Sequence, residues 1–298
     1  PAVAAARGYR AIVSRPGTVE QLEIVETAAQ PLGPHEVRVA TAAFSLNFGD
    51  LLCVRGLYPT MPPFPFTPGV EASGVVVEIG SAVSQVRVGD AVVAMTGLAF
   101  GAHATMLVCH ETQLWHKPEN LSFEDACALP AVAITMIDVF RRIGLKRGER
   151  ILIQTATGGT GLVAVQLAQH LGAEIYATAG SQAKLDYLAG RGVPYRINYR
   201  EQDFATEIHR LTQGRGVDVV INTLAGDALQ KGLNCLGAGG RYVEIAMTGL
   251  KSAKSIDLSV LDSNQTFHSV DLGKLGLHDP DMVRSHLHEL DTLVRQNV

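Results

Sequence analysis

Residues that would staple, span or strongly charge this chain are scarce. Four cysteines (Cys53, Cys109, Cys127, Cys235) are dispersed over 298 residues and form no CxxC pair. That excludes a disulfide framework and a four-cysteine zinc site, and it fits reduced, buried thiols in a cytoplasmic setting. No apolar run reaches the roughly 18 residues needed to cross a bilayer. A net charge of −4 offers no basic surface to a nucleic acid. The opening Pro1-Ala2-Val3-Ala4-Ala5-Ala6-Arg7 lacks an initiator methionine and the basic-then-apolar order of a signal peptide. The start therefore reads as an excised fragment or a linker remnant.

What is present is 47% hydrophobic and 18% charged residues, the composition of a globular protein with a large core. At this length two domains are expected rather than one. The most informative stretch runs from Arg150 to Gly180. An apolar run, Ile151-Leu152-Ile153, stops at Thr155-Ala156-Thr157-Gly158-Gly159-Thr160-Gly161. A helical pattern follows to Leu171, and a second apolar run begins after Gly172. Strand, glycine turn, helix and strand in that order are the pattern of a dinucleotide-binding unit. Glycines at 158, 159 and 161 let the backbone approach a pyrophosphate, and the N–H groups opening the helix face the anion. The spacing is Gly-Gly-x-Gly rather than Gly-x-Gly-x-x-Gly, and a ligand-free glycine-rich turn would use the same residues. The next strand, Glu174 to Ala179, ends in Gly180-Ser181-Gln182-Ala183-Lys184 with no carboxylate for a ribose 2′-hydroxyl. A hydroxyl and a lysine suit a 2′-phosphate, so NADPH is the expected cofactor; Lys184 is otherwise a solvated helix lysine.

Residues 9–120 read as β-rich. Leu22–Val25 and Glu36–Ala40 are strand-like, with Pro31-Leu32-Gly33-Pro34 as the turn between them. Gly74–Gly80 and Val88–Ala94 add two more strands, and the close spacing suggests a small, partly open barrel. From about residue 122 the period becomes helical, over 123–129 and 131–143. Strands and helices then alternate through 150–154, 162–171, 174–178, 182–190, 203–213, 217–222, 227–236 and 240–245. That order means a parallel, doubly wound sheet with right-handed crossovers.

These motifs converge. Leu46-Asn47-Phe48-Gly49-Asp50, Gly56-Leu57-Tyr58-Pro59, Pro68 to Val76, Val88-Gly89-Asp90, the 158–161 turn, Gly216 to Gly226 and Gly239 to Ile245 together resemble the zinc-free medium-chain reductases of the quinone-reductase type. Within that group the chain looks most like the enoyl reductase domains of modular polyketide synthases, a tilt carried by Asn222-Thr223-Leu224-Ala225-Gly226. The resemblance implies an α/β fold with a GroES-like catalytic domain over residues 1–125, a Rossmann NADPH domain over 126–265, and a return segment over 266–298. The chain ends within a helical pattern at 281–294, so the return segment reads as truncated. The implied partners are an acyl carrier protein and other synthase domains; both a monomer and a homodimer stay open.

No metal is expected. Metal-dependent relatives place ligands where Asn47 and Val70 stand, and His103, His110 and His116 read as surface or strand histidines. The implied reaction sends hydride from NADPH to Cβ of an α,β-unsaturated thioester and a proton to Cα. Tyr58 is the leading proton donor, or else a loop tyrosine packing on Pro59 and Pro62. Asn47 by resemblance borders the nicotinamide ribose, and is otherwise a turn-forming asparagine. Thr135 is placed near the nicotinamide by the same resemblance, and is otherwise a helix threonine bonding its own backbone. Tyr199 stands near the adenine or its phosphate, or is half-exposed without a ligand. Thr157, Thr160, Ser181, Asn222 and Leu224 complete the expected cofactor contacts, and Asp271 joins the catalytic group. Where relatives often carry lysine, this chain has Met247, which removes a proton source and the expected partner of Asp271. An enolate left unprotonated at Cα would be a carbon nucleophile, so a γ-leaving group would open a route to a cyclopropane. A soluble NADPH:quinone reductase and a non-catalytic protein that binds NADPH as a structural component are the other readings, and small residues such as Gly49 and Ala72 are candidates for shaping the pocket.

Overall fold

The computed structural model describes residues 8–252 and 255–298. The segment 1–7, read above for its lack of a signal, lies outside the described residues. Two compact units are present, one formed by the chain up to Ala131 with Gly276–Arg295, the other by Val132–Leu275 with Gln296–Val298.

The first unit opens with β1 (Gly8–Ile12) and β2 (Glu23–Thr27), which pair with each other as an antiparallel ribbon. β2 therefore does not form a hairpin with the strand that follows it. A five-stranded antiparallel sheet is built from β3 (Glu36–Phe44), β4 (Glu71–Ile79), β5 (Ala91–Met95), β6 (Met106–His110) and β7 (Leu114–His116), in the order β6-β3-β4-β5-β7. Helix α1 (Phe48–Val54) lies between β3 and β4 in the chain, and the short α2 (Phe123–Cys127) follows β7. Val37, Val39, Ala72, Val76, Val92 and Leu107 form the core of this sheet. Arg38 is buried beside them because its guanidinium is spent on Glu78, 2.8 Å away, and on the carbonyl of Gln30. Gly74 is required by the pairing itself: a Cβ there would sit 2.0 Å from the Ala40 carbonyl oxygen.

Helix α3 (Pro130–Ile143) leads into the second unit. There β8 (Arg150–Ile153), α4 (Gly159–Leu171), β9 (Glu174–Ala179), α5 (Gln182–Gly190), β10 (Tyr195–Asn198), α6 (Phe204–Leu211), β11 (Val217–Asn222), α7 (Ala228–Asn234) and β12 (Leu236–Glu244) alternate. α8 (Met247–Ser252), β13 (Thr266–Ser269), α9 (Leu272–His278) and α10 (Pro280–Arg295) complete the chain. The six strands are parallel in the order β10-β9-β8-β11-β12-β13. Strand order reverses between β8 and β11, which in such sheets marks the ligand crevice at the carboxyl ends of the strands. The central strands read as unbroken apolar runs because helices cover both faces. Ile151, Leu152, Ile153, Tyr176, Ile221 and Tyr242 are all fully buried.

All four cysteines are buried and none is in a disulfide. Burial pushes the thiols of Cys53, Cys109 and Cys235 up to about 12, and that of Cys127 is raised for the same reason. No helix among the described residues is long and apolar enough to cross a membrane.

Candidate functional site

The glycine turn sits at the carboxyl end of β8, and three strand ends hold it. Thr155 takes a positive φ of 43°, a conformation non-glycine residues seldom adopt. Its N–H donates to Thr178 Oγ1 at 3.1 Å, on β9, and its hydroxyl lies 2.5 Å from Thr223 Oγ1, beyond β11. The Thr178 hydroxyl donates to Gln154 Oε1 at 2.6 Å. Helix α4 then opens at Gly159 with Gly158 as its N-cap and no side-chain cap. Its first N–H groups are therefore left for an anion, with the helix dipole behind them. Gly161 is glycine for packing: a Cβ would lie 2.5 Å from the Thr155 carbonyl oxygen. At Gly159 a Cβ would meet Val132 Cγ1 at 3.0 Å, so the start of α3 closes on the turn. Half-buried Thr135 lies on that same helix, while Gly158 and Gly159 are exposed and Thr157 and Thr160 half-buried.

A second group stands at the end of β9. A Cβ on Gly180 would lie 3.0 Å from both Tyr199 Oη and Arg200 Nε. Tyr199 is anchored by its N–H, which donates to the Ala179 carbonyl at 3.2 Å. Ser181 and Lys184 open α5 and are exposed. Neither Lys184 nor Arg200 forms a side-chain hydrogen bond or ion pair among the described residues. An ammonium, a guanidinium, a phenol and a hydroxyl with no carboxylate spent on them fit a ribose 2′-phosphate. Arg200 was missed in the sequence, where only the tyrosine beside it stood out. A basic residue two positions past the end of a parallel strand was the available signal.

At the ends of β11 and β12, Asn222 is fully buried. Its Nδ2 donates to the Leu224 carbonyl at 2.7 Å and to Glu244 Oε2 at 2.9 Å, and its Oδ1 accepts from the Leu224 N–H at 3.3 Å. The amide is thus consumed in shaping the 222–226 loop. Half-buried Leu224 is held by it. Glu244 also accepts from Tyr242 Oη and the Ala246 N–H, and burial raises its carboxyl. Met247 begins α8, and its sulfur accepts from Ser269 Oγ at 3.8 Å. Asp271 follows two residues later and accepts from the Lys274 N–H at 3.3 Å. Its second oxygen is 3.9 Å from Lys274 Nζ. Asp271 thus has an ammonium one helical turn on, although position 247 holds methionine.

In the first unit, Asn47 precedes α1 and sits in a buried polar network. Its Nδ2 donates to Ser45 Oγ and to Glu71 Oε1, each at 3.0 Å. The Ser45 hydroxyl donates to Glu71 Oε1 at 2.6 Å, and the Ala131 N–H donates to Glu71 Oε2 at 2.7 Å. Glu71 is fully buried, and desolvation raises its carboxyl against these donors. Asp50 accepts from the Asn47 N–H at 2.8 Å and the Gly69 N–H at 3.1 Å. His103 is neither on the surface nor in a strand, which corrects the sequence reading. It is buried, with Nε2 3.0 Å from the Ser45 carbonyl. A Cβ at Gly69 would strike its ring at 2.4 Å, so that glycine is what admits it. His110 and His116 are exposed at strand ends. Among the described residues no group of three or more His, Cys, Asp or Glu side chains is placed to hold a metal ion. Tyr58, half-buried, follows α1 and stacks edge-on against Phe100.

Residues 33–119 match the family described as the alcohol dehydrogenase GroES-like domain, and residues 159–284 that described as zinc-binding dehydrogenase. The chain belongs to the medium-chain dehydrogenase/reductase family, with the enoyl reductases of polyketide synthases. It is 35% identical to a mycocerosic acid synthase-like polyketide synthase of Mycobacterium tuberculosis (strain ATCC 25618 / H37Rv) over 98% of its own length, while spanning only 14% of that protein. Among solved structures it is similar to the CurF ER cyclopropanase from the curacin A biosynthetic pathway. The TM-score is 0.89 at 30% identity, covering 97% of this chain and 89% of that one. It is also similar to Escherichia coli quinone oxidoreductase complexed with NADPH, with a TM-score of 0.86 at 29% identity, covering 97% and 88% of the two chains. The family is one of oxidoreductases, and its fold takes a nicotinamide cofactor.

Proposed function

We propose that this chain reduces the α,β double bond of an enoyl thioester carried on an acyl carrier protein, with NADPH as the reductant. The uncapped start of α4 and the carboxylate-free basic group at Gly180 carry this reading. Bound NADPH supplies the hydride that adds at Cβ. The amides at 159–161 hold the pyrophosphate, and Ser181, Lys184 and Tyr199 take the 2′-phosphate, joined by Arg200. Thr157, Thr160, Thr135 and Leu224 line the rest of the cofactor's path, while Asn222 acts through the loop it shapes. Asn47, with its Nδ2 committed to Ser45 and Glu71, orients the nicotinamide ribose. Tyr58 delivers a proton to Cα as the enolate collapses; a phenol O–H can serve as a general acid toward carbon. Asp271, backed by Lys274, orders the segment at the end of β13. Partners are the carrier protein and the other domains of a polyketide synthase.

Loss of NADPH absorbance on mixing with a crotonyl thioester tests the reading, with NADH and a benzoquinone in parallel. Equal rates with NADH would sink the cofactor assignment. Turnover of the quinone alone would sink the substrate assignment.

Met247 and the similarity to a cyclopropanase favour a second outcome at the same site. Hydride addition at Cβ makes Cα a carbanion. With a halide at Cγ, Cα bonds to Cγ, the halide departs with its electron pair, and a three-membered ring closes. A γ-chloro enoyl thioester separates the outcomes: a chlorine-retaining saturated product excludes ring closure.

A further inference from the structure

Two residues in the first unit depart from local conformational preference, and both bear on the space around one ring. Gly49 is the second residue of α1. Glycine within a helix is less favourable than alanine, by up to about 1 kcal/mol in a helix interior. A Cβ there would lie 3.2 Å from Tyr58 Cε2, tighter than side chains ordinarily pack. Phe100 is the second case. Its backbone is at φ 56°, ψ −156°, a region nearly confined to glycine that costs another side chain about 1–3 kcal/mol. Yet Phe100 is a buried phenylalanine. Its ring stands edge-on to Tyr58, with centroids 5.9 Å apart and planes at 84°, and it rests on Phe66 at 5.8 Å. Backbone bonds lock that geometry: Phe100 N–H to the Gly97 carbonyl at 3.1 Å, and Gly101 N–H to the Thr67 carbonyl at 2.9 Å.

We infer that Gly49 and Phe100 are positioning residues that fix the Tyr58 ring from two sides, and so set the face and timing of proton delivery to Cα. Neither residue's local choice improves the fold, whereas both improve the fixity of the ring. Violations of local rules that converge on one side chain are expected where function requires them. The inference rests on Tyr58 as the proton donor, so its test must separate the two.

The substrate is a 2-methylcrotonyl thioester, whose Cα becomes a stereocentre, and the readouts are the ratio of Cα epimers, kcat, KM for NADPH, and the thermal midpoint. Tyr58→Phe should lower kcat and scramble the epimer ratio. Gly49→Ala should melt no lower than wild type and keep KM for NADPH. It should nonetheless lower kcat about tenfold, since a small misplacement of a reacting group has costs of that order, and shift the epimer ratio toward that of Tyr58→Phe. Phe100→Leu should move the same two readouts, and Gly49→Ala carries the test alone if Phe100→Leu fails to fold. Gly49→Ala combined with Tyr58→Phe should match Tyr58→Phe. An unchanged epimer ratio and kcat in Gly49→Ala, beside a clear effect of Tyr58→Phe, overturns the positioning role. No effect of Tyr58→Phe overturns the proton-donor reading beneath it.

Discussion

Asn47 Nδ2 and Glu71 Oε1 are 3.0 Å apart, joining the residue before α1 to the first residue of β4. The same carboxylate accepts from Ser45 and from the Ala131 N–H. A fully buried glutamate with three donors is a fixed acceptor that holds Asn47 in one orientation.

Glu71→Gln presents an amide donor where the Ala131 N–H or Asn47 needs an acceptor. It should cost about 1–3 kcal/mol of stability and lower kcat through Asn47. Burial raises the folded-state pKa of Glu71. Its contribution is therefore fully present below the unfolded carboxyl value of ~4.3 and is lost as pH rises through the folded value. Urea melts of both proteins across pH check the sign: the wild-type advantage should be largest in acid and shrink toward neutrality.

Arg200→Ala should raise KM for NADPH at least about tenfold, as expected for losing one charge-assisted bond to a phosphate, and leave KM for NADH unchanged. Initial rates with the two cofactors measure it. An equal rise for both would place Arg200 away from the 2′-phosphate.

The turn glycines should separate by role. Gly161→Ala drives a Cβ into the backbone of Thr155 and Ala156 and should cost about 1–3 kcal/mol in a denaturant titration. Gly158→Ala meets the Thr155 carbonyl oxygen at 3.3 Å and its Oγ1 at 3.9 Å. It should melt close to wild type while NADPH fluorescence titration shows weakened binding.

Met247→Lys returns an ammonium beside Ser269. With the γ-chloro substrate it should shift product toward the saturated chloride at the expense of the ring, read by mass spectrometry. A ratio unchanged by the lysine would show that position 247 does not govern protonation.

The parallel sheet was legible because its strands are apolar on both faces and its turns are rich in glycine. Helix α4 was placed three residues late, since Gly159 and Gly161 hide its first turn from a helical pattern. β4 was likewise begun at Gly74, past Glu71, because a buried carboxylate looks like a loop residue until its donors are known. His103 looked superficial for the same reason. Asn222 was singled out as a cofactor contact, and what the sequence did not show is that its amide bonds Leu224 and Glu244. Apart from Leu224, such partners lie tens of residues away in the chain, and no local spacing encodes them.

The sequestered thiols have a practical consequence. With their pKa values pushed up to about 12 or otherwise raised, Cys53, Cys109, Cys127 and Cys235 carry almost no thiolate near neutrality, and maleimides require it. One cysteine introduced on an exposed loop would then be the sole site labelled, so fluorophores or spin probes could be attached without first stripping out the native sulfurs.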